Sequence, residues 1–387
     1  MKTQSTVNPE IKEKRGLSFK LDMQAYTLII ALVLIAVIFG FFTGGEFLSS
    51  RNISNLFSQM SIIAVLAIGM TLVIVAGHID LSVGSLVGLT GGVAAILHVW
   101  YEWNTFTVVV AAIAVGALFG VWQGWWVAYR AVPAFIVTLG GMLIFRGILI
   151  GLSKGQTIAP LNDSFKAISN SYFPFTLGYI LAIASIGLLI FWTVWNRSKR
   201  KKLELLLPAP VIDYGKVGVY SFFILLATYM LNRYQGIPTP ILLVVLLAAI
   251  FIFISNKTSF GRYVYAIGGN PEAAALSGIN IKRNTLWVFI SMGALSGVAG
   301  VILTSRLNAA TVSAGNMYEL DAIAACVIGG TSLMGGKGKV VGALIGALIM
   351  ASIDNGMSMM NIETFWQYIV KGLILIIAVW SDIASKK

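Results

Sequence analysis

Residues 256–285 read Asn256-Lys-Thr-Ser-Phe-Gly-Arg-Tyr-Val-Tyr-Ala-Ile-Gly-Gly-Asn-Pro-Glu-Ala-Ala-Ala-Leu-Ser-Gly-Ile-Asn-Ile-Lys-Arg-Asn-Thr285. This polar-rich stretch separates two apolar runs, 238–255 and 286–304. Apolar runs of about 20 residues match the ~30 Å hydrocarbon thickness of a bilayer. The contrast therefore reads as two membrane spans joined by a loop outside the membrane. The loop carries its own helix signals. Asn270 can cap an N-terminus, Pro271 fits the first helical position, Glu272 complements the positive dipole end, and Gly278 can close the helix in a left-handed conformation. The spacing predicts a helix over 271–277, about two turns long, and helices that short are marginal in water. Its Ala273-Ala-Ala-Leu276 run points to docking against another surface.

The same alternation runs through the rest of the chain, which is 58% hydrophobic and 11% charged and contains 40 glycines. Apolar runs fall at 25–42, 56–76, 79–97, 105–129, 133–152, 174–195, 217–231, 238–255, 286–304, 319–331, 339–353 and 364–380. A soluble core cannot absorb that much apolar sequence. Some runs are short or interrupted by glycine, so the expected fold is an all-α polytopic membrane bundle of about 10–12 transmembrane helices. No A-x-A-like cleavage site follows the first run, so it is expected to remain as a helix.

Charge placement gives an orientation. Lys and Arg gather in the N-terminal tail (Lys2, Lys12, Lys14, Arg15, Lys20), at 197–202, in the 256–284 loop (Lys257, Arg262, Lys282, Arg283) and at Lys386 and Lys387. The opposite loops hold only Arg51, Lys154, Lys166, Arg233 and Arg306. The positive-inside rule puts both termini and the 196–216 and 256–284 segments in the cytoplasm. The net charge of +12 follows from this bias and gives no reason to invoke nucleic acid.

The domain expectation has five parts: a cytoplasmic tail at 1–24, an N-terminal transmembrane half at 25–195, a cytoplasmic linker at 196–216 bearing Pro208 and Pro210, a C-terminal half at 217–382, and the 256–284 loop within that half. Gly77-His-Ile-Asp-Leu-Ser-Val-Gly84 aligns with Gly329-Gly-Thr-Ser-Leu-Met-Gly-Gly336 through Gly77/Gly329, Leu81/Leu333 and Gly84/Gly336. Both related halves with broken helices, common in transporters, and chance similarity between glycine-rich segments account for those matches. Glycines at helical spacing (Gly84, Gly88, Gly92; Gly116, Gly120, Gly124; Gly342, Gly346) are expected to be faces where helices approach closely.

Ionisable groups at membrane depth are costly and point to function. His78, Asp80, Arg146, Asp321, Asp354 and Lys371 are the candidates. Asp80, Asp321 and Asp354 fall near expected helix ends, which argues against a mid-helix proton relay, and Lys371 is placed to snorkel. Asp80, Ser82, Ser85, Asn316 and Asp321 lie at or beside the broken segments and are the expected contributors to a permeation path, with structural packing the competing role for each. Enzyme chemistry finds no support. Thr331 and Gly338 stand where a P-loop requires Gly and Ser or Thr, and two histidines with one cysteine, Cys326, make neither an ordinary zinc site nor a disulfide.

The loop from Gly261 to Ile279 resembles the signature cytoplasmic loop of sugar-importing ABC permeases of the ribose/xylose type. Gly77-His-Ile-Asp-Leu-Ser-Val-Gly-Ser85, Pro133-Ala-Phe-Ile-Val-Thr-Leu-Gly-Gly-Met142 and Ala325-Cys-Val-Ile-Gly-Gly-Thr-Ser-Leu-Met-Gly-Gly336 resemble the same family, and the resemblance spans residues 47–382. Met350-Ala-Ser-Ile-Asp-Asn-Gly-Met-Ser-Met-Met360 and Phe365-Trp-Gln-Tyr-Ile-Val-Lys-Gly372 narrow it towards xylose-transporting members. His78 departs from the family's pattern, in which Glu or another residue often stands there.

The resemblance implies a bacterial inner-membrane, multi-pass permease subunit that dimerises, docks a cytoplasmic ABC ATPase and receives sugar from a periplasmic binding protein. D-xylose is favoured over ribose or a hexose. The ATPase-coupling residues would be Gly269, Asn270, Pro271, Glu272, Ala273, Ala274, Leu276 and Gly278. No cofactor or metal is expected in this chain, ATP and Mg²⁺ belonging to the partner. The alternative is an ion-coupled secondary sugar transporter, which would need an ion site and no ATPase.

Overall fold

The computed structural model describes residues 23–205, 207 and 209–384. The basic residues of the N-terminal tail, Pro208, Lys386 and Lys387 lie outside the described residues. The chain is almost wholly helical: α1 (Met23–Phe42), α2 (Ser50–Val75), α3 (Val83–Ala95), α4 (Thr105–Arg130), α5 (Ala134–Ser153), α6 (Asp163–Asn170), α7 (Phe175–Lys202), α8 (Pro210–Asn232), α9 (Thr239–Lys257), α10 (Ser259–Gly269), α11 (Pro271–Leu276), α12 (Ile281–Leu307), α13 (Tyr318–Ile328), α14 (Val340–Met359) and α15 (Thr364–Ala384). A wide helical turn, Ile96–Trp100, extends α3. The two strands, β1 (Tyr172–Phe173) and β2 (Ile237–Pro238), pair antiparallel.

Among the described residues, ten helices are long and apolar enough to cross a membrane, counting α3 with its extension. The protein is an all-α, multi-pass membrane protein. The run at 319–331 contributes only α13, whose 11 residues span about half a bilayer at ~1.5 Å per residue. The chain reaches α13 through the non-helical segment 308–317, in which Ala310, Ala314 and Gly315 are buried while Ser313 and Asn316 are exposed. Such backbone is tolerated at depth only where it meets protein or water.

The centre of the bundle is α2, in which every residue from Ser61 to Val75 is buried. It packs against α12, α13 and α14, while α12 lies along α4 and α3. Helices from the two sequence halves thus interleave around one core. The glycine stripes make this possible. Gly116 faces Gly293, and Gly120 faces the backbone of Phe289 and Ile290. Gly84 and Gly88 meet Gly315 and Ala314, and Gly342 and Gly346 meet Gly329 and Ala325. Close backbone approach of this kind supplies the van der Waals contact that holds membrane helices together. Leu188, Phe191, Phe222, Leu246 and Ile376 project outward, as lipid-facing residues do.

Two expected boundaries shift. The 196–216 linker shrinks to 203–209, because α7 runs through its basic end to Lys202 and Pro210 opens α8 as an N-terminal helical residue. Proline belongs there because its missing N–H is not needed in a first turn. Arg197 pairs with Asp213 across that turn. The 256–284 segment, expected to carry one short helix at 271–277, carries two, α10 and α11, between the end of α9 and the start of α12.

The two segments aligned by sequence close their helices in the same way, with the match shifted by one residue. At the end of α2, Gly77 N donates to Ile74 O (2.9 Å) and His78 N to Val73 O (3.0 Å). At the end of α13, Gly330 N donates to Val327 O (2.9 Å) and Thr331 N to Cys326 O (2.8 Å). Gly77 and Gly330 both have positive φ, 82° and 87°. The matching helix ends therefore align Gly77 with Gly330 rather than Gly329. The two breaks also touch, since Gly336 N donates to Val75 O at 2.9 Å.

Candidate functional site

Three consecutive caps build the elbow between α9 and α12. Thr258 Oγ1 accepts from Gly261 N (3.2 Å) to start α10, and Asn270 Oδ1 accepts from Ala273 N (3.0 Å) to start α11. Asn280 Oδ1 accepts from Arg283 N (2.9 Å) to start α12. Each satisfies an N-terminal amide that otherwise lacks a partner. Pro271 occupies the first turn of α11 with Glu272 beside it. The other end closes at Gly278, whose φ is 79°, with Gly278 N donating to Ala275 O and Ile279 N to Ala274 O. Side chains with a Cβ strain that conformation. The predicted helix 271–277 is thus present, with Ser277 as its C-cap.

The elbow is fastened to the bundle through α10. Gly261, Val264 and Ile267 are buried, and Tyr265 donates its hydroxyl to Gly338 O at 2.7 Å. Burial pushes the Tyr265 phenol above its ordinary pKa, which keeps it a donor. Gly268 lies so close to Val75 O that a Cβ there would overlap it. The short helix α11 consequently projects from a rigid base. Ala274 faces inward, while Gly269, Asn270, Pro271, Glu272, Ala273 and Gly278 are exposed and Leu276 is 90% exposed.

Four of the five predicted path residues lie inside the bundle. Asp80 is buried in the break after α2, where its Oδ1 accepts from Ser82 N (2.9 Å) and Ser82 Oγ (2.6 Å). Gln123 on α4 donates to Ser82 Oγ at 2.6 Å. Ser85 is buried in the first turn of α3. Asn316 alone of the five is exposed, and its amide reaches Tyr368 Oη at 3.4 Å.

Asp321, fully enclosed, belongs to a cluster whose third member sequence reasoning misread. Lys371 Nζ lies 2.9 Å from Asp321 Oδ2 and 2.8 Å from Asp354 Oδ2. Lys371 therefore does not snorkel. It is the shared partner of two acids brought by α13, α14 and α15. Asp354 is also well inside α14, which continues six residues beyond the expected end at 353. Arg146 on α5 donates to the carbonyls of Val312 and Ala314 and so pins the inward-dipping 308–317 segment. His78 stacks at 5.8 Å from Phe289, and Cys326 contacts Thr71 and Ala67 O in the core. Among the described residues no three His, Cys, Asp or Glu side chains converge as metal ligands.

The chain matches the family described as branched-chain amino acid transport system / permease component over residues 52–200 and 210–379. It belongs to this family of transport permeases. It is 52% identical over 369 residues to the xylose transport system permease protein XylH of Escherichia coli (strain K12), covering 95% of this chain and 93% of that protein. Identity is again 52%, over 95% and 98% of the two chains, with XylH of Haemophilus influenzae. The ribose import permease protein RbsC of Escherichia coli (strain K12) is 37% identical over 93% of this chain and 94% of that one. No solved structure matches.

Proposed function

We propose that this chain is the permease subunit of an ATP-driven importer of D-xylose in a bacterial inner membrane. The observation that carries this reading is the end-to-end identity to proteins named as xylose transport permeases, 52% against 37% for the ribose counterpart. The chain would form the translocation path as a homodimer, take sugar from a periplasmic binding protein, and respond to a cytoplasmic ABC ATPase that alone binds ATP and Mg²⁺. Supporting the ATPase contact is α11, with Glu272 offering a charge and Leu276 an apolar anchor. An ion-coupled carrier, the other class the composition admits, finds no support in the family match.

The orientation follows from charge. The β1–β2 pair places the starts of α7 and α9 at one end of the bundle, so both helices end together at the other. That end carries Arg197, Lys199, Arg200, Lys201, Lys202 and Lys257 together with the elbow, and the positive-inside rule makes it cytoplasmic. In this reading the path opens beside the paired breaks at 76–82 and 329–339. Asp80, Ser82, Ser85, Asn316 and Asp321 flank it. Co-purification with the ATPase and binding protein, followed by a panel of labelled sugars, tests the assignment. D-xylose uptake supports it, whereas uptake only of ribose or galactose through their own binding proteins removes the substrate and leaves the transporter class.

A further inference from the structure

At the end of the bundle opposite the elbow, a polar cavity of about 480 Å³ lies among the start of α2, the ends of α6, α12 and α14, and the β1–β2 pair. None of the residues expected to line the path from sequence contributes to it. Its walls have mixed hydrogen-bonding character. Asn52 uses both amide protons, on Phe47 O (2.9 Å) and Asn355 Oδ1 (2.8 Å), which leaves its own Oδ1 as an acceptor. Arg306 directs Nη2 to Asn55 Oδ1 at 2.9 Å and retains further guanidinium protons. The Tyr172 and Tyr234 rings meet edge to face, 6.1 Å apart at 84°.

Resting on the sugar-importer reading, we infer that this cavity is a monosaccharide-binding station in the permease itself, at the entrance of the translocation path. Donors, acceptors and an aromatic pair in one pocket of this size suit a small neutral polyol with an apolar C–H face. Sugar released by the binding protein would be held there by Asn52, Asn55 and Arg306, with a tyrosine ring against its carbon face.

The test uses the full permease assembled with its ATPase in proteoliposomes, without binding protein. Cysteine is introduced as Met359→Cys on the cavity wall, or as Gln156→Cys on an exposed loop outside the cavity, and the native Cys326 is fully buried. The rate of reaction with an impermeant thiol reagent is measured against D-xylose and, separately, L-leucine. D-xylose should slow labelling at Met359→Cys, ~10-fold at ~10 times the half-protecting concentration by mass action, and leave Gln156→Cys unchanged. Adding Asn55→Ala should raise the half-protecting concentration ~5-fold, the weight of one neutral hydrogen bond, with no loss of thermal stability because Asn55 is exposed. Unchanged labelling at saturating xylose, or protection by leucine in its place, overturns the inference. If the complete importer takes up xylose while labelling is unprotected, this station fails and the transport assignment stands. If neither occurs, both fail.

Discussion

Replacing Leu276 with alanine separates docking from folding. The side chain is 90% exposed, so the isolated permease loses no buried contact. Alanine is at least as good a helix former as leucine, and the Asn270 cap and Gly278 closure are untouched. Stability should stay within ~0.5 kcal/mol, as for ordinary surface changes. In a complex that buries the leucine, alanine removes three carbons' worth of apolar contact. At ~0.8 kcal/mol per buried carbon this is at most ~2.4 kcal/mol, and about 2 kcal/mol with incomplete burial corresponds to ~30-fold in Kd. The assay is titration of nanodisc-embedded permease with its ATPase partner, alongside thermal unfolding of the permease alone. Leu276→Met should recover most of the affinity, since it restores volume and apolarity. Affinity unchanged within ~2-fold, less than 0.5 kcal/mol, would refute the anchor role of α11.

Gly268→Ala should abolish ATPase assembly, because the new Cβ overlaps Val75 O and displaces α10, whereas Gly269→Ala, with no atom within 4 Å of its Cβ, should assemble normally. Lys371→Met strands the enclosed Asp321 carboxylate beside the partly exposed Asp354 and should destabilise the bundle by ~3–5 kcal/mol in a detergent unfolding assay. Asp354→Asn should be milder, since Lys371 keeps Asp321 at 2.9 Å, and equal losses would contradict the shared-partner arrangement. Cysteines at Asn162 and Ser313 should react with an impermeant reagent in whole cells and those at Ser198 and Asn280 should not, a reversed pattern overturning the orientation. Ala310 is a poor probe because its β-bridge to Ile158 leaves it 3% exposed.

What the sequence revealed was local. Asn270, Pro271 and Gly278 are short-range capping signals, and each acts as its chemistry requires in α11. Glycines at four-residue spacing imply close helix contacts whichever partner they meet, and Gly116 and Gly120 do line the α4–α12 seam. α10 was missed because its polar residues outweighed a buried set, Gly261, Val264 and Ile267, recurring every three residues. That spacing was the available signal. Pro210 read as loop, although proline at a first helical position begins a helix, as it does in α8.

Other features were out of reach because they join distant segments. Lys371 reads as snorkelling until α13 and α14 bring Asp321 and Asp354 to it. The Asn52–Arg306–Ser169 cavity draws on stretches more than 100 residues apart, and no pattern in any one of them marks it. The Gly77/Gly330 correspondence shows a subtler limit. Identity matching chose the register with more shared letters, while the backbone hydrogen bonds set the other.

The central claim, ATP-driven xylose import through this permease, is tested most directly by uptake of labelled D-xylose into proteoliposomes holding the permease, its ATPase and a D-xylose-binding protein. Sugar should accumulate with ATP on the ATPase side and stop when a hydrolysis-deficient ATPase replaces the active one, with or without an imposed ion gradient. Accumulation driven by a proton or sodium gradient in the absence of the ATPase would contradict the account.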